Sequence, residues 1–293
     1  MKRGWAVSIL SVVLTLVPMS LVHGDVLVHN RTESSLFVDI LGTITNLDPA
    51  TFEDALQDLG SRRLFVRLDS VGGDVFAAMH IGRLIRKHDG VTIISVPSKC
   101  YSGCALLFIA GVMRHNLGEL GLHRPYQVFA LQSRPTTEKQ LPRMLALIKQ
   151  YVTEMGITED FYDQMVNTEH TKTAIYKMDD YADLVPEIDP GFLEVQFAYG
   201  ARRYGMTAAQ MRERERDAEV CLTRSVKEIV VCQEAIKWGL SEEVYRERSA
   251  KMKACELGQD DRRVVQALPP GQRRDHPFVL KHEACQQKIM LGR

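Results

Sequence analysis

A serine lies between two cysteines in the stretch KCYSGCALLFIAG, residues 99–111, directly before a glycine and an apolar run. The hydroxyl of Ser102 would be a nucleophile only if a base took its proton and hydrogen-bond donors stabilised the oxyanion that follows. A serine at such a place can also simply cap the N-terminus of a helix. Groups elsewhere in the sequence distinguish these two explanations.

Two glycine-containing turns are predicted to supply the donors. The stretch SVGG ends a predicted strand and precedes a predicted helix, so backbone N–H groups of Gly72 and Gly73 can point at a bound carbonyl oxygen. Gly103, at the start of the helix after Ser102, can present another N–H group. Two such donors make an oxyanion hole.

His123, in the stretch GLHRPY, is the candidate general base. A helix and a strand predicted after Ser102 can return the chain to the sheet edge that carries this serine. A histidine in such a stretch is more often a loop or core residue. Only the combination of the glycine turn, the Ser-Gly helix start and the histidine favours nucleophilic catalysis.

An alternation of strands and helices must position these groups. Strands are predicted at SLFVDILGTI, RRLFVRLDS and VTIISV, with the helices DPATFEDALQDLG and DVFAAMHIGRLIRKHDG between them. This order predicts an α/β fold with a largely parallel sheet and right-handed crossovers. Beyond Ser102 we expect a buried helix at GCALLFIAGVM, a strand at ELGLHRPY and an amphipathic helix at EKQLPRMLALIKQYVTEMG.

Residues 1–24 have the features of a secretory signal peptide: Lys2 and Arg3, then an apolar stretch, then small residues before Asp25. An uncleaved membrane anchor is the alternative, although the apolar stretch is short and ends at Pro18. We expect an exported, soluble mature protein that begins at Asp25.

The distribution of charge divides the mature chain into two regions. Residues 25–200 hold 16 basic and 23 acidic side chains, and residues 201–293 hold 19 basic and 14 acidic ones. We expect an α/β domain over 25–200 and a helical module over 201–293. The near-neutral total gives no indication of nucleic-acid binding.

All six cysteines follow the predicted signal peptide, where an even number favours full pairing in an oxidising compartment. We expect Cys100 to pair with Cys104, and the other four, Cys221, Cys232, Cys255 and Cys285, to pair among themselves and staple the helical module. A redox pair would favour CxxC spacing, and a zinc site would need four ligands at suitable spacing. We therefore predict no metal and no cofactor.

Three stretches, LDSVGGDVFAAMHIGRLIR, CYSGCALLFIAG and LGLHRP, resemble the Clp peptidase and crotonase-like superfamily. The resemblance is closest to its exported bacterial Clp-like members, which have a cysteine on either side of the nucleophile, and it covers about residues 36–190. It implies a spiral of ββα units, with Ser102 as nucleophile, His123 as general base, and Gly73 with Gly103 as oxyanion donors. It also implies a periplasmic location.

In this family an aspartate some fifty residues after the histidine usually orients it. The matching stretch here is AIYKMDDYADLV, and the aligned place holds Thr173 or Ala174 instead of an acid. Four nearby acids could take that role, or the site could work as a Ser-His dyad. These acids are Asp163, Glu169, Asp179 and Asp180.

Two functions follow from these observations. The first is an exported serine hydrolase that acts on a peptide or protein substrate. The second is a catalytically inactive Clp-like scaffold or binding protein of the cell envelope, whose C-terminal module binds a protein partner. The superfamily's rings and trimers also suggest that this chain forms a homo-oligomer.

Overall fold

The computed structural model describes residues 25–60, 62–126, 134–268 and 270–292. The predicted signal peptide, residues 1–24, lies outside them. No helix within these ranges has the length and apolar character needed to cross a membrane.

Eight strands within the described ranges form one mixed sheet. Most neighbours are parallel, whereas β1 with β2, and β7 with β8, are antiparallel. The predicted α/β class and the largely parallel sheet are therefore confirmed. The strands are β1 (Asp25–Arg31), β2 (Ser35–Ile44), β3 (Arg63–Gly73), β4 (Val91–Ile94), β5 (Lys99–Tyr101), β6 (Met113–Asn116), β7 (Glu119–Leu122) and β8 (Ala174–Lys177).

The long strand β3 has two neighbours on the same side. Its first part pairs with β4, where Phe65 lies opposite Val91, and its last part pairs with β5, where Ser70 lies opposite Cys100. The next strand, β7, is parallel to β5. The carboxyl ends of β3, β5 and β7 therefore meet at one edge of the sheet.

Helices connect the strands and cover the sheet. Their bounds are α1 (Asp48–Leu56), α2 (Val75–Lys87), α3 (Gly103–Ala110), α4 (Arg134–Glu154), α5 (Glu159–Asn167) and α6 (Pro190–Tyr204). Asp74 begins α2 as its N-cap, because its Oδ1 accepts the N–H groups of Phe76 and Ala77 at 2.8 and 2.9 Å. Every residue of α3 is buried, so this helix forms the centre of the main hydrophobic core.

The C-terminal region is helical, as the sequence predicts. It contains α7 (Ala208–Asp217), α8 (Val226–Trp238), α9 (Glu242–Lys251), α10 (Gln259–Ala267), α11 (Pro270–Arg273) and α12 (Pro277–Leu291), with 3₁₀ helices at Ala218–Thr223 and Met252–Cys255. A second, smaller hydrophobic cluster holds this region together, made of Ala201, Tyr204, Met211, Trp238 and Met290. The helix α6 starts ten residues before the boundary predicted at residue 200 and continues past it.

All six cysteines are paired at disulfide distance. The Cα–Cα separations are 5.1 Å for Cys100–Cys104, 5.8 Å for Cys221–Cys232 and 5.6 Å for Cys255–Cys285. Such bonds indicate an oxidising, extracytoplasmic environment.

A buried ion cluster lies where α2, β6 and the start of α6 meet. Asp189 forms an ion pair with Arg86 at 2.9 Å and lies 3.7 Å from the fully buried Arg114. Asp189 also caps α6 by accepting the N–H of Phe192 at 2.8 Å. Burial, together with the charge of Arg86, lowers the pKa of Arg114 to about 10.

Candidate functional site

Ser102 occupies a sharp turn between β5 and α3. Its backbone has φ 56° and ψ −123°, a conformation that non-glycine residues rarely adopt. The Ser102 N–H donates to the Gly121 carbonyl of the neighbouring strand β7 at 2.9 Å. The side chain is half-buried and makes no capping hydrogen bond to α3. Helix capping therefore does not explain this serine.

The Cys100–Cys104 disulfide encloses this turn. Cys100 belongs to β5 and Cys104 to the first turn of α3, and both are fully buried. The bond therefore fixes the strand end to the helix start on either side of Ser102.

The two glycines predicted to form a turn are the last residues of β3, and Gly72 packs directly against Ser102. Gly72 has φ 94°, and a Cβ there would lie 2.7 Å from the Ser102 Cβ and 2.8 Å from the Gly103 nitrogen. Only glycine fits at this close approach. The Gly72 N–H donates to the buried Ser70 Oγ at 3.0 Å, so it is already occupied.

The other two predicted donors lie next to each other. A Cβ on Gly103 would lie 3.4 Å from the Gly73 nitrogen. Gly103 is the first residue of α3, and its N–H has no acceptor among the described residues. These backbone groups adjoin the serine, where an oxyanion would form.

His123 directly follows β7, which pairs with β5, the strand that ends one residue before Ser102. Tyr101 lies opposite Gly121 in the ladder, so the serine and the histidine leave adjacent strands at the same sheet edge. The His123 Nδ1 donates to the Arg124 carbonyl at 3.1 Å, which leaves the lone pair on Nε2. Within the described part of the chain, no hydrogen bond joins the Ser102 hydroxyl to His123.

Thr173, at the place where the resemblance would put an orienting acid, lies near His123. In the β7–β8 ladder Leu122 lies opposite Ala174, so Thr173 comes next to His123. A Cβ on Gly121 would lie 2.8 Å from the Thr173 Cγ2, which places this methyl group against β7.

Two of the candidate acids have lysine partners. Asp163 is exposed on α5. The pKa of Lys149 is raised mainly by Glu159 and to a smaller extent by the charge of Asp163. Glu169 is paired with Lys172 at 3.1 Å.

The other two candidates are Asp179 and Asp180. Asp180 is exposed on the 3₁₀ helix that follows β8, and the side chain of Asp179 lies outside the described residues. None of the described acids forms an ion pair with His123.

Two aromatic residues beside His123 were missed by the sequence interpretation. The Tyr126 ring lies 5.9 Å from the His123 ring and 5.1 Å from the His170 ring, measured between centroids. The Arg124 N–H donates to the Thr168 carbonyl at 2.8 Å, which joins the two loops that carry these rings. The only signal for Tyr126 is its place three residues after His123 in GLHRPY.

A tyrosine–glutamate pair lies under the site. The Tyr101 hydroxyl donates to Glu119, which is also paired with Lys177 at 3.2 Å. Burial and this hydrogen bond raise the pKa of Tyr101 to about 12. The same bond from Tyr101, with Lys177, lowers the pKa of Glu119. This hydrogen bond fixes the Tyr101 ring next to Ser102. At neutral pH Glu119 is ionised and Tyr101 is neutral.

No metal centre accompanies these groups within the described ranges, since no three His, Cys, Asp or Glu side chains there are placed to hold an ion. No known protein-family model matches this chain. No curated protein has a significantly similar sequence.

Proposed function

We propose that the protein is an exported serine hydrolase of the peptidase type, with Ser102 as nucleophile and His123 as general base. The observation that carries the proposal is the backbone of Ser102. A strained φ of 56° is kept at a serine whose hydroxyl caps nothing, beside the free N–H of Gly103. Strain of this kind costs about 1–3 kcal/mol and is concentrated at functional sites.

The proposed reaction is acyl transfer through a covalent intermediate. His123 Nε2 removes the hydroxyl proton as Ser102 Oγ attacks the carbonyl carbon, and the N–H groups of Gly73 and Gly103 stabilise the oxyanion. The proton then passes from His123 to the leaving amine as the C–N bond breaks. Water, deprotonated by His123, hydrolyses the acyl-enzyme and restores the serine.

No carboxylate among the described residues is paired with His123, so the proposed site is a dyad. The Arg124 carbonyl accepts a hydrogen bond from the Nδ1–H of His123 and so selects the tautomer in which Nε2 is basic. A neutral carbonyl stabilises the imidazolium less than a carboxylate does. In serine proteases with a full triad, loss of the aspartate lowers turnover by about 10⁴. We therefore expect slow turnover.

We also propose the Clp/crotonase-like spiral as the fold and the periplasm as the location. In support, three stretches of the chain follow the ββα order, namely β1-β2-α1, β4-β5-α3 and β6-β7-α4, and β3 pairs with both β4 and β5. A peptide or protein is the proposed substrate, and self-association is proposed by analogy with the superfamily.

A catalytically inactive scaffold is the second candidate. It is favoured by the absence of a Ser102–His123 hydrogen bond within the described ranges. In that case the helical C-terminal region would bind a partner of the cell envelope, and the Ser102 turn would be only structural.

Labelling with a fluorophosphonate distinguishes the two functions, because only an activated serine reacts. We expect the wild-type protein to be labelled and Ser102→Ala to lose labelling while remaining folded. Ser98→Ala is the matched control, since Ser98 is also half-buried and precedes β5 by one residue. Full labelling of Ser102→Ala would exclude Ser102 as the nucleophile, and an unlabelled wild type would favour the scaffold.

A further inference from the structure

The rings of His123, Tyr126 and His170 form a row of contacts that begins at the proposed general base. Tyr126 lies between the two histidines, with both pairs of rings tilted by 39°. Two backbone contacts hold this row in place, one from His123 Nδ1 to the Arg124 carbonyl and one from the Arg124 N–H to the Thr168 carbonyl.

The Arg124 carbonyl alone leaves the imidazole weakly oriented. It lies on the residue next to His123, and a single hydrogen bond to a neutral carbonyl allows the ring to turn away from it. A carboxylate in a triad would restrict this rotation, but the neighbouring strand position holds Thr173. A further group is therefore needed to keep Nε2 directed at the serine.

We propose that Tyr126 is a positioning residue for His123 and that His170 supports the Tyr126 ring. The inference rests on the proposed function. The Tyr126 ring lies 5.9 Å from the His123 ring between centroids and restricts the movement of the imidazole. His170 in turn prevents Tyr126, which is 54% exposed, from turning away into solvent.

The ring of Tyr126 has this role, and its hydroxyl does not, since no hydrogen bond joins that hydroxyl to another described residue. Tyr126→Phe should therefore behave as wild type, whereas Tyr126→Leu should not. Because Tyr126 is more than half exposed, neither change disturbs the core. His170→Phe keeps a ring and should retain function, and His170→Ala should lose part of it.

The experiment measures hydrolysis of p-nitrophenyl butyrate and the rate of fluorophosphonate labelling. We expect Tyr126→Leu to lower kcat about tenfold with little change in KM and to slow labelling, while Tyr126→Phe matches the wild type in both. Unchanged kcat in Tyr126→Leu would overturn the inference and leave the proposed function intact. Loss of activity in Tyr126→Phe would assign the role to the hydroxyl and overturn the inference as well.

A second measurement does not need activity. Imidazole ¹⁵N NMR of His123 should show one tautomer, protonated on Nδ1, in the wild type and in Tyr126→Phe. In Tyr126→Leu we expect a mixture of the two tautomers, because the ring can turn away from the Arg124 carbonyl and lose the hydrogen bond that selects the Nδ1–H form. An identical spectrum in all three proteins would contradict a positioning role, whatever the outcome of the labelling.

Discussion

At the scale of the residue, the site depends on how closely two backbone turns approach each other. The Gly72 backbone lies so near Ser102 and Gly103 that it leaves no room for a methyl group. Gly103 differs, since a Cβ there would meet neighbours only at 3.4 Å or more. Two neighbouring glycines therefore have different tolerance of the same change.

This contrast predicts opposite outcomes for two alanine variants. Gly72→Ala combines a positive φ with clashes below 3 Å, so we expect a loss of about 1–3 kcal/mol in the free energy of unfolding and little labelling of Ser102. Gly103→Ala should remain close to wild type in stability and keep its backbone N–H. Chemical denaturation and fluorophosphonate labelling measure both. Equal effects of the two substitutions would show that the approach of the turns is unimportant.

Residue types and spacing could predict the glycine turn, the serine and the histidine, because each lies at the end of a strand in a regular strand–helix order. Spacing could not predict that the Gly72 N–H is occupied by Ser70, since that bond depends on the side-chain conformation. The contact between Tyr126 and His170 could not be predicted from the sequence either. Two loops 44 residues apart in sequence meet there only through the folded sheet.

At the scale of the element, the first α-helix beyond β8, α6, is fixed by charge as well as by apolar packing. Asp189 caps α6 and neutralises part of the buried charge of Arg86 and Arg114. Burial raises the pKa of Asp189, but the Phe192 N–H and the Arg86 guanidinium outweigh it, so the pKa lies below its ordinary value. The carboxylate thus stabilises the folded state while it is ionised.

Asp189→Asn should therefore lower the free energy of unfolding at neutral pH, by about 3 kcal/mol, because it leaves buried guanidinium groups unpaired. The difference in free energy of unfolding between the wild type and this variant should be complete above the pKa of Asp189 in the unfolded state, near 4. It should disappear as the pH falls through the lower pKa of Asp189 in the folded state. Urea denaturation from pH 3 to pH 7 tests this. Asp183→Asn, at an exposed position, is the control and should show neither effect.

Short elements were the hardest to predict from sequence. The strands β5 and β6 have three and four residues and no clear alternation of apolar and polar side chains. They form because backbone groups along one edge of β3 and of β4 are available for hydrogen bonding, β3 to β5 and β4 to β6. By contrast β2, with ten residues rich in β-branched and aromatic side chains, matches its predicted bounds of residues 35–44.

At the scale of the whole molecule, the two regions have different sources of stability. The sheet and its helices enclose a large apolar core that includes all of α3. Among the described residues, the cluster of the helical C-terminal region has five buried apolar side chains, and the region has two disulfides. Cross-links of 11 and 30 residues contribute about 3 and 4 kcal/mol by restricting the unfolded chain.

Replacing both Cys255 and Cys285 by alanine should therefore loosen the C-terminal helices and leave the sheet protected. Hydrogen exchange followed by mass spectrometry should show faster exchange across residues 201–293, with protection of residues 36–122 unchanged. The matched variant, Cys100→Ala with Cys104→Ala, removes a cross-link that spans only four residues and should leave C-terminal exchange as in wild type. Uniform loss of protection in the first variant would mean that the two regions unfold together.

All three disulfides join cysteines that follow one another in the sequence, at separations of 4, 11 and 30 residues. Six cysteines allow 15 pairings. A chain that enters an oxidising compartment N-terminus first exposes its cysteines there in sequence order. If each cysteine pairs with the next one to enter, the result is these three disulfides. Maturation would then require an oxidase alone, with no isomerase to correct mispaired bonds.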